Sequence, residues 1–114
     1  MPDEDWLTWY VLSAVVPFYE NLAGVESKVA DWSKADGFCF GNEEVRLTLE
    51  ELIRGELVDV WELASTSAKN RRVNYVPDEA GRFWFHVTRQ GHAALAALTR
   101  KLSKPEPEQE QPLG

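Results

Sequence analysis

The chain has 114 residues, about the commonest size for a single domain and long enough to bury one core without staples. Hydrophobic residues make up 44% and aromatics 11%, which excludes a disordered chain, and no apolar run approaches the roughly 18 to 20 residues that span a bilayer. The net charge of −7 argues against nucleic acid when taken whole, yet it divides unevenly. Residues 1–64 carry four Lys/Arg against fourteen Asp/Glu, residues 65–104 carry eight against two, and residues 105–114 carry three glutamates. A partner feels the local field over about 10 Å at 0.1 M salt, so the basic stretch counts for more than the sum. The acidic opening "MPDEDWLTWYVLSAVV" does not read as a secretory signal, and Cys39 alone allows no internal disulfide. A reducing cytoplasm is the expected home of a soluble, globular protein.

In chain order, "WLTWYVLSAVV" (6–16) is apolar almost all round and stops at Pro17, as suits a helix buried on more than one side. A second helix is expected over "FYENLAGVESKVADWSK", with Phe18, Leu22, Val25, Val29 and Trp32 on one stripe and "ADG" as its stop. "FCFGN" then forms a short aromatic connection in which Cys39 reads as a small buried hydrophobe. A third helix is capped either by Asn42 or, with Glu51 three residues on as in a capping box, by Thr48, and Gly55 ends it. "LVDVWELAS" and "RRVNYV" read as strands and "PDEAG" as a turn into "RFWFHVT", where Phe83, Phe85 and Val87 alternate against Trp84, His86 and Thr88. Ala94, Leu95, Leu98 and Leu102 form one stripe of a closing helix, with Thr88 and Gly91 at the join. Residues 1–104 make one domain, and the acidic, Pro-rich segment 105–114 is expected to be disordered.

The run "IRGELVDV", the hairpin after it and "FHVTRQGHAAL" together resemble the winged-helix family of bacterial transcriptional regulators, in its PadR-like and MarR-like branches. The resemblance implies a mostly helical α+β fold: three N-terminal helices, a two- or three-stranded antiparallel wing and a C-terminal helix. Thr88 would cap that helix, and Gly91 would let it pass close to the sheet. The resemblance further implies a DNA-binding regulator that touches double-stranded DNA through Arg46 on the third helix and through Lys69, Arg71, Arg72 and Arg82 on the wing. Two departures stand against it. "ADGFCFG" is longer than the family's usual tight turn, and the third helix exposes Glu43, Glu44, Glu50 and Glu51 against Arg46 and Arg54 only. The alternative is a winged-helix module that binds a protein instead, through the acidic third helix or the Trp-bearing face.

Trp6, Leu7, Trp9, Tyr10, Leu12 and Val16 at one end, with Leu95, Leu98 and Leu102 at the other, exceed what one face of a small core covers. Trp6, Trp9, Tyr10, Leu95, Leu98 and Leu102 are therefore expected at a homodimer interface, as in the resembling families. Trp84 is expected to pack across strands against Trp61. His86 and His92 read as surface or boundary residues, without the spacing of a metal site. No phosphate loop, nucleophile elbow or metalloprotease motif is present, so neither an enzyme nor a cofactor is expected.

Overall fold

The computed structural model describes residues 2–16, 18–63 and 70–102. The elements are α1 (Pro2–Ala14), β1 (Glu20–Asn21), α2 (Leu22–Ala35), α3 (Asn42–Arg54), β2 (Val58–Glu62), β3 (Arg71–Arg72), β4 (Trp84–Val87) and α4 (Arg89–Leu102), with a 3-10 stretch at Pro77–Arg82 before β4. The fold is α+β and mostly helical, and its four strands form one antiparallel sheet in the order β1-β4-β2-β3. Among the described residues no helix is long and apolar enough to cross a membrane.

Because α1 is apolar almost all round from Trp6 onward, it needs cover on several sides. α2, α3 and α4 all pack against it, and Tyr10, Val11, Leu12, Ala14 and Val15 are fully buried. Trp9, Tyr10 and Leu95 are buried inside one chain, while Trp6, Leu98 and Leu102 pack half-buried against the same core. Trp9 Nε1 donates to Thr99 Oγ1 at 2.9 Å, and that hydroxyl donates to the Leu95 carbonyl at 2.8 Å. Much of the apolar excess of α1 is thus covered by a fourth helix of the same chain.

α2 starts four residues later than its stripe suggests. Glu20 and Asn21 pair with Phe85 and Trp84, and the Asn21 side chain accepts the Gly24 N–H at 2.8 Å as the helix cap. Phe18 therefore stands outside the helix, 75% exposed, and Trp32 lies at its outer edge. α3 takes neither expected cap: it begins after Gly41, whose N–H donates to Glu44 Oε1 at 2.8 Å. "RRVNYV" pairs over Arg71–Arg72 only, with one further bond from Val73 N–H to Val60 O, and "PDEAG" winds into the 3-10 stretch.

At the end of α3, Glu56 N–H donates to Ile53 O and Leu57 N–H to Leu52 O, the paired closure that needs a left-handed residue between them. That residue is Glu56 (φ +65°), whereas Gly55 sits at an ordinary φ of −84°. A side chain in this conformation costs roughly 1–2 kcal/mol. Glu56→Gly is expected to raise the denaturant midpoint, by up to about 1 kcal/mol once glycine's freer unfolded chain is subtracted. A lower midpoint would show that the Glu56 side chain, not its backbone, holds the turn.

The join between β4 and α4 forms as the sequence implies. Thr88 Oγ1 accepts the Gly91 N–H at 3.0 Å and donates to Glu56 O at 2.8 Å, while Thr88 N–H donates to Leu57 O at 3.0 Å. A Cβ on Gly91 would lie 2.1 Å from the Leu57 carbonyl oxygen, so only glycine allows this approach.

Candidate functional site: the open face of the sheet

Alternation fixes the two faces. Val58, Val60, Phe83, Phe85 and Val87 are buried in the helical core. Asp59, Trp61, Trp84 and His86 therefore point the other way, and all four are half-buried there. Register sets Trp61 directly across from Trp84 and Asp59 across from His86. Beside them Tyr19, just ahead of β1, brings its ring within 5.1 Å of His86 and 5.4 Å of Trp61. On the opposite flank, Arg72 stands across from Trp61 and reaches Asp59 at 3.6 Å. The result is a half-buried aromatic floor of Tyr19, Trp61, Trp84 and His86, bounded by Asn21 on one edge and Arg72 on the other. The Trp61 Nε1 atom is buried there without a hydrogen-bond partner. Tyr19 was not legible as a member; nothing in its neighbourhood marks a strand.

The residues expected to touch DNA are distributed differently. Arg71 reaches Glu62 at 2.8 Å, and Arg82 reaches Glu62 and Glu79 at 2.9 Å each. Arg46, on α3, pairs with Glu50 at 3.1 Å, and the same carboxylate oxygen accepts the Tyr75 hydroxyl at 2.7 Å. Lys69 lies outside the described residues. So every described member of the basic set already faces a carboxylate, and Arg46 is separated from the hairpin arginines by its own network. The hydrogen bond from Arg71 holds the Glu62 carboxyl below its usual range. Sequence reasoning could not see these pairs, because Glu62 is nine residues from Arg71 and twenty from Arg82.

Cys39 is exposed, which corrects its reading as a buried hydrophobe. The connection is extended there: Phe38 and Phe40 stack at 5.5 Å and turn inward onto Trp6 and Tyr10, so the residue between them turns out. His92 is exposed on α4, in line with the sequence reading. A groove of about 420 Å³ runs between the end of α3 and the segment after β3, with Ile53 and Tyr75 among its apolar walls and Asn74 and Gln90 among its polar ones.

Two tyrosines are tied into this frame. Burial, reinforced by the bond to Asp36, pushes the Tyr10 hydroxyl well above its usual range, and burial with the bond to Glu50 does the same to Tyr75. The unfolded chain ionises its tyrosines near pH 10. The folded chain keeps these protons, so stability is full below about pH 10 and falls as pH rises beyond it. Urea midpoints measured on either side of that pH are expected to show the decline, and Tyr10→Phe to make it shallower. An unchanged slope in Tyr10→Phe would show that its hydroxyl ionises freely in the folded chain.

No family model, curated protein or solved structure matches the chain.

Proposed function

We propose that the chain is a winged-helix interaction module that binds a partner protein through the open face of its sheet. The fold reading is supported by the step from α3 through Gly55 to Val58, the hairpin β2–β3 and the Thr88-capped entry into α4, the elements on which the resemblance to the regulators rests. One observation carries the choice of partner: the side of the sheet away from the helical core gathers the half-buried Tyr19, Trp61, Trp84 and His86, while Arg72 on that side is balanced by Asp59, and Arg71 and Arg82 beyond it by Glu62 and Glu79. Aromatic surface with a charge-balanced rim suits a protein contact. A polyanion would need those pairs opened and would leave three carboxylates beside its phosphates. The outer side of α3, with Glu43, Glu44 and Glu51 exposed, repels a duplex as well.

Two measurements test the reading. A photoreactive residue in place of Trp84 is expected to crosslink to one defined protein in the cell of origin, and the same residue in place of Glu51 to none. The chain is also expected not to associate with mixed-sequence duplex DNA at about 20 mM salt, where attraction is least screened. Association there, with log K falling against log salt by about 0.9 per contact and flattened by Arg71→Ala with Arg72→Ala, would replace this reading with the DNA-binding one.

A further inference from the structure

We propose that the groove between the end of α3 and the segment after β3 receives an arginine side chain from an extended stretch of a partner protein, with its stem on Ile53, Val73 and Tyr75 and its guanidinium at Glu56 and Asp59. None of the four aromatic residues of the open face lines this groove, so the site is separate from the surface proposed above. Its walls are held within the chain itself. Val73 N–H bonds to Val60 O, and the chain then leaves β2, because Tyr75 carries its ring to Phe83 and Phe85 and its hydroxyl to Glu50 on α3. Toward its first residues, Val58 and Asp59, β2 therefore has no strand beside it on that side among the described residues. The gap is the groove of about 420 Å³, and the paired closure at the end of α3 fixes its other wall.

The lining selects the occupant. Ile53, Val73 and Tyr75 pack on the core and stay only half-buried, so each presents apolar surface to the groove, and the Tyr75 hydroxyl is already given to Glu50. Long cationic side chains lay their stems on such surface and keep the charged head at its edge. Acceptors wait at that edge. Glu56 is exposed, and among the described residues no cation pairs with its carboxylate. Asp59 meets Arg72 only at 3.6 Å, beyond the roughly 2.7–2.9 Å of a well-made charged hydrogen bond. Two carboxylates thus line the groove against one guanidinium that is itself 67% exposed, and a cation is favoured over an anion. Asn74 and Gln90 add exposed amide oxygens, which the five donors of a guanidinium can use together with a carboxylate and the three of an ammonium serve less well. With Glu56, Asn74 and Gln90 all exposed, the groove is open along its rim and would bury little of a free small ion. A side chain delivered on a peptide adds contacts along that rim.

The experiment uses the full chain labelled with nitrogen-15 and a blocked tripeptide with arginine between two threonines. Titration is expected to move the backbone amide signals of Glu56, Val73 and Asn74 along one saturating curve in the millimolar range, while those of Glu43 and Glu44 on the outer side of α3 stay in place. Citrulline in place of the arginine keeps the shape and loses the charge, and is expected to weaken binding about tenfold; glutamate there is expected to abolish it. Glu56→Gln is expected to weaken binding of the arginine peptide about three- to fivefold and to leave that of the citrulline peptide unchanged. No saturation in that range, equal shifts at Glu43 and Glu44, equal binding of the citrulline or glutamate peptide, or no loss in Glu56→Gln would each overturn the proposal. So would butylguanidine alone binding as tightly as the tripeptide, since the groove would then hold a small cation and not a protein segment. The peptide series leaves the protein unaltered, so its outcomes do not depend on any variant folding.

Discussion

Gly91→Ala is expected to destabilise the protein by about 2–3 kcal/mol or more, the range for forcing a methyl group into a filled space. In an ordinary helix interior the same change would stabilise by about 1 kcal/mol, so the sign itself is diagnostic. The added Cβ would lie 2.1 Å from the Leu57 carbonyl oxygen and 2.5 Å from Val87 Cγ2. The first of these is backbone, pinned by the bond from Thr88 N–H, and it cannot rotate aside. Gly24 makes the control. A Cβ there also meets atoms at 2.1–2.9 Å, but these are Oε1, Cδ and Cγ of Glu20, a flexible side chain held by a part-buried pair to Lys28 and by the Asn21 N–H. Swinging it away costs about 1 kcal/mol or less, so Gly24→Ala is expected to stay within about 1 kcal/mol of the parent. Thermal or urea unfolding of the two variants checks both. Equal effects at the two sites would mean that the α4 entry is looser than its hydrogen bonds imply.

Trp9→Ala is expected to cost about 3–5 kcal/mol, the range for emptying a buried aromatic site. That is a large share of the roughly 5–15 kcal/mol by which domains are stable. Trp9 is 7% exposed, it packs edge-on against Trp6 and Tyr10, and its indole N–H is bonded to Thr99. Circular dichroism is expected to show lost cooperativity or a sharply lowered midpoint. Had the indole instead covered a partner copy, the variant would keep its midpoint and change only its mass in light scattering. That second outcome would put Trp9 at a dimer face.

The sheet-to-helix join was legible because two periods meet there: Phe83, Phe85 and Val87 alternate, and the 3.6-residue stripe of α4 begins only after Thr88 and Gly91. Both patterns arise from burial on one face, which is the property that sequence displays most directly. The helicity of α1 was equally legible. Its partners were not, because an all-round apolar helix reports that cover is needed and not whether the cover is α4 or another molecule. β1 left no trace, since two residues, Glu20 and Asn21, are too few to show a period. Glu56 misled in the opposite way: a glycine stood one position before the left-handed site, where it drew attention and was not required. The aromatic floor was half legible. Trp61 and Trp84 followed from alternation, whereas Tyr19 joins them only through the β1–β4 pairing.

The bond between Trp9 and Thr99 spans 90 positions, and that span has a meaning for synthesis. A ribosome adds about 5–20 residues each second, so α1 leaves it some 5–18 s before α4 exists to cover the Trp9 side. Throughout that interval the side of α1 that α4 will cover is exposed to every other nascent chain nearby. The protein's hazard is therefore timing more than final stability, and it falls on α1. A holding chaperone that recognises Trp6 to Val16 would bridge the wait, and release would be set by translation of α4.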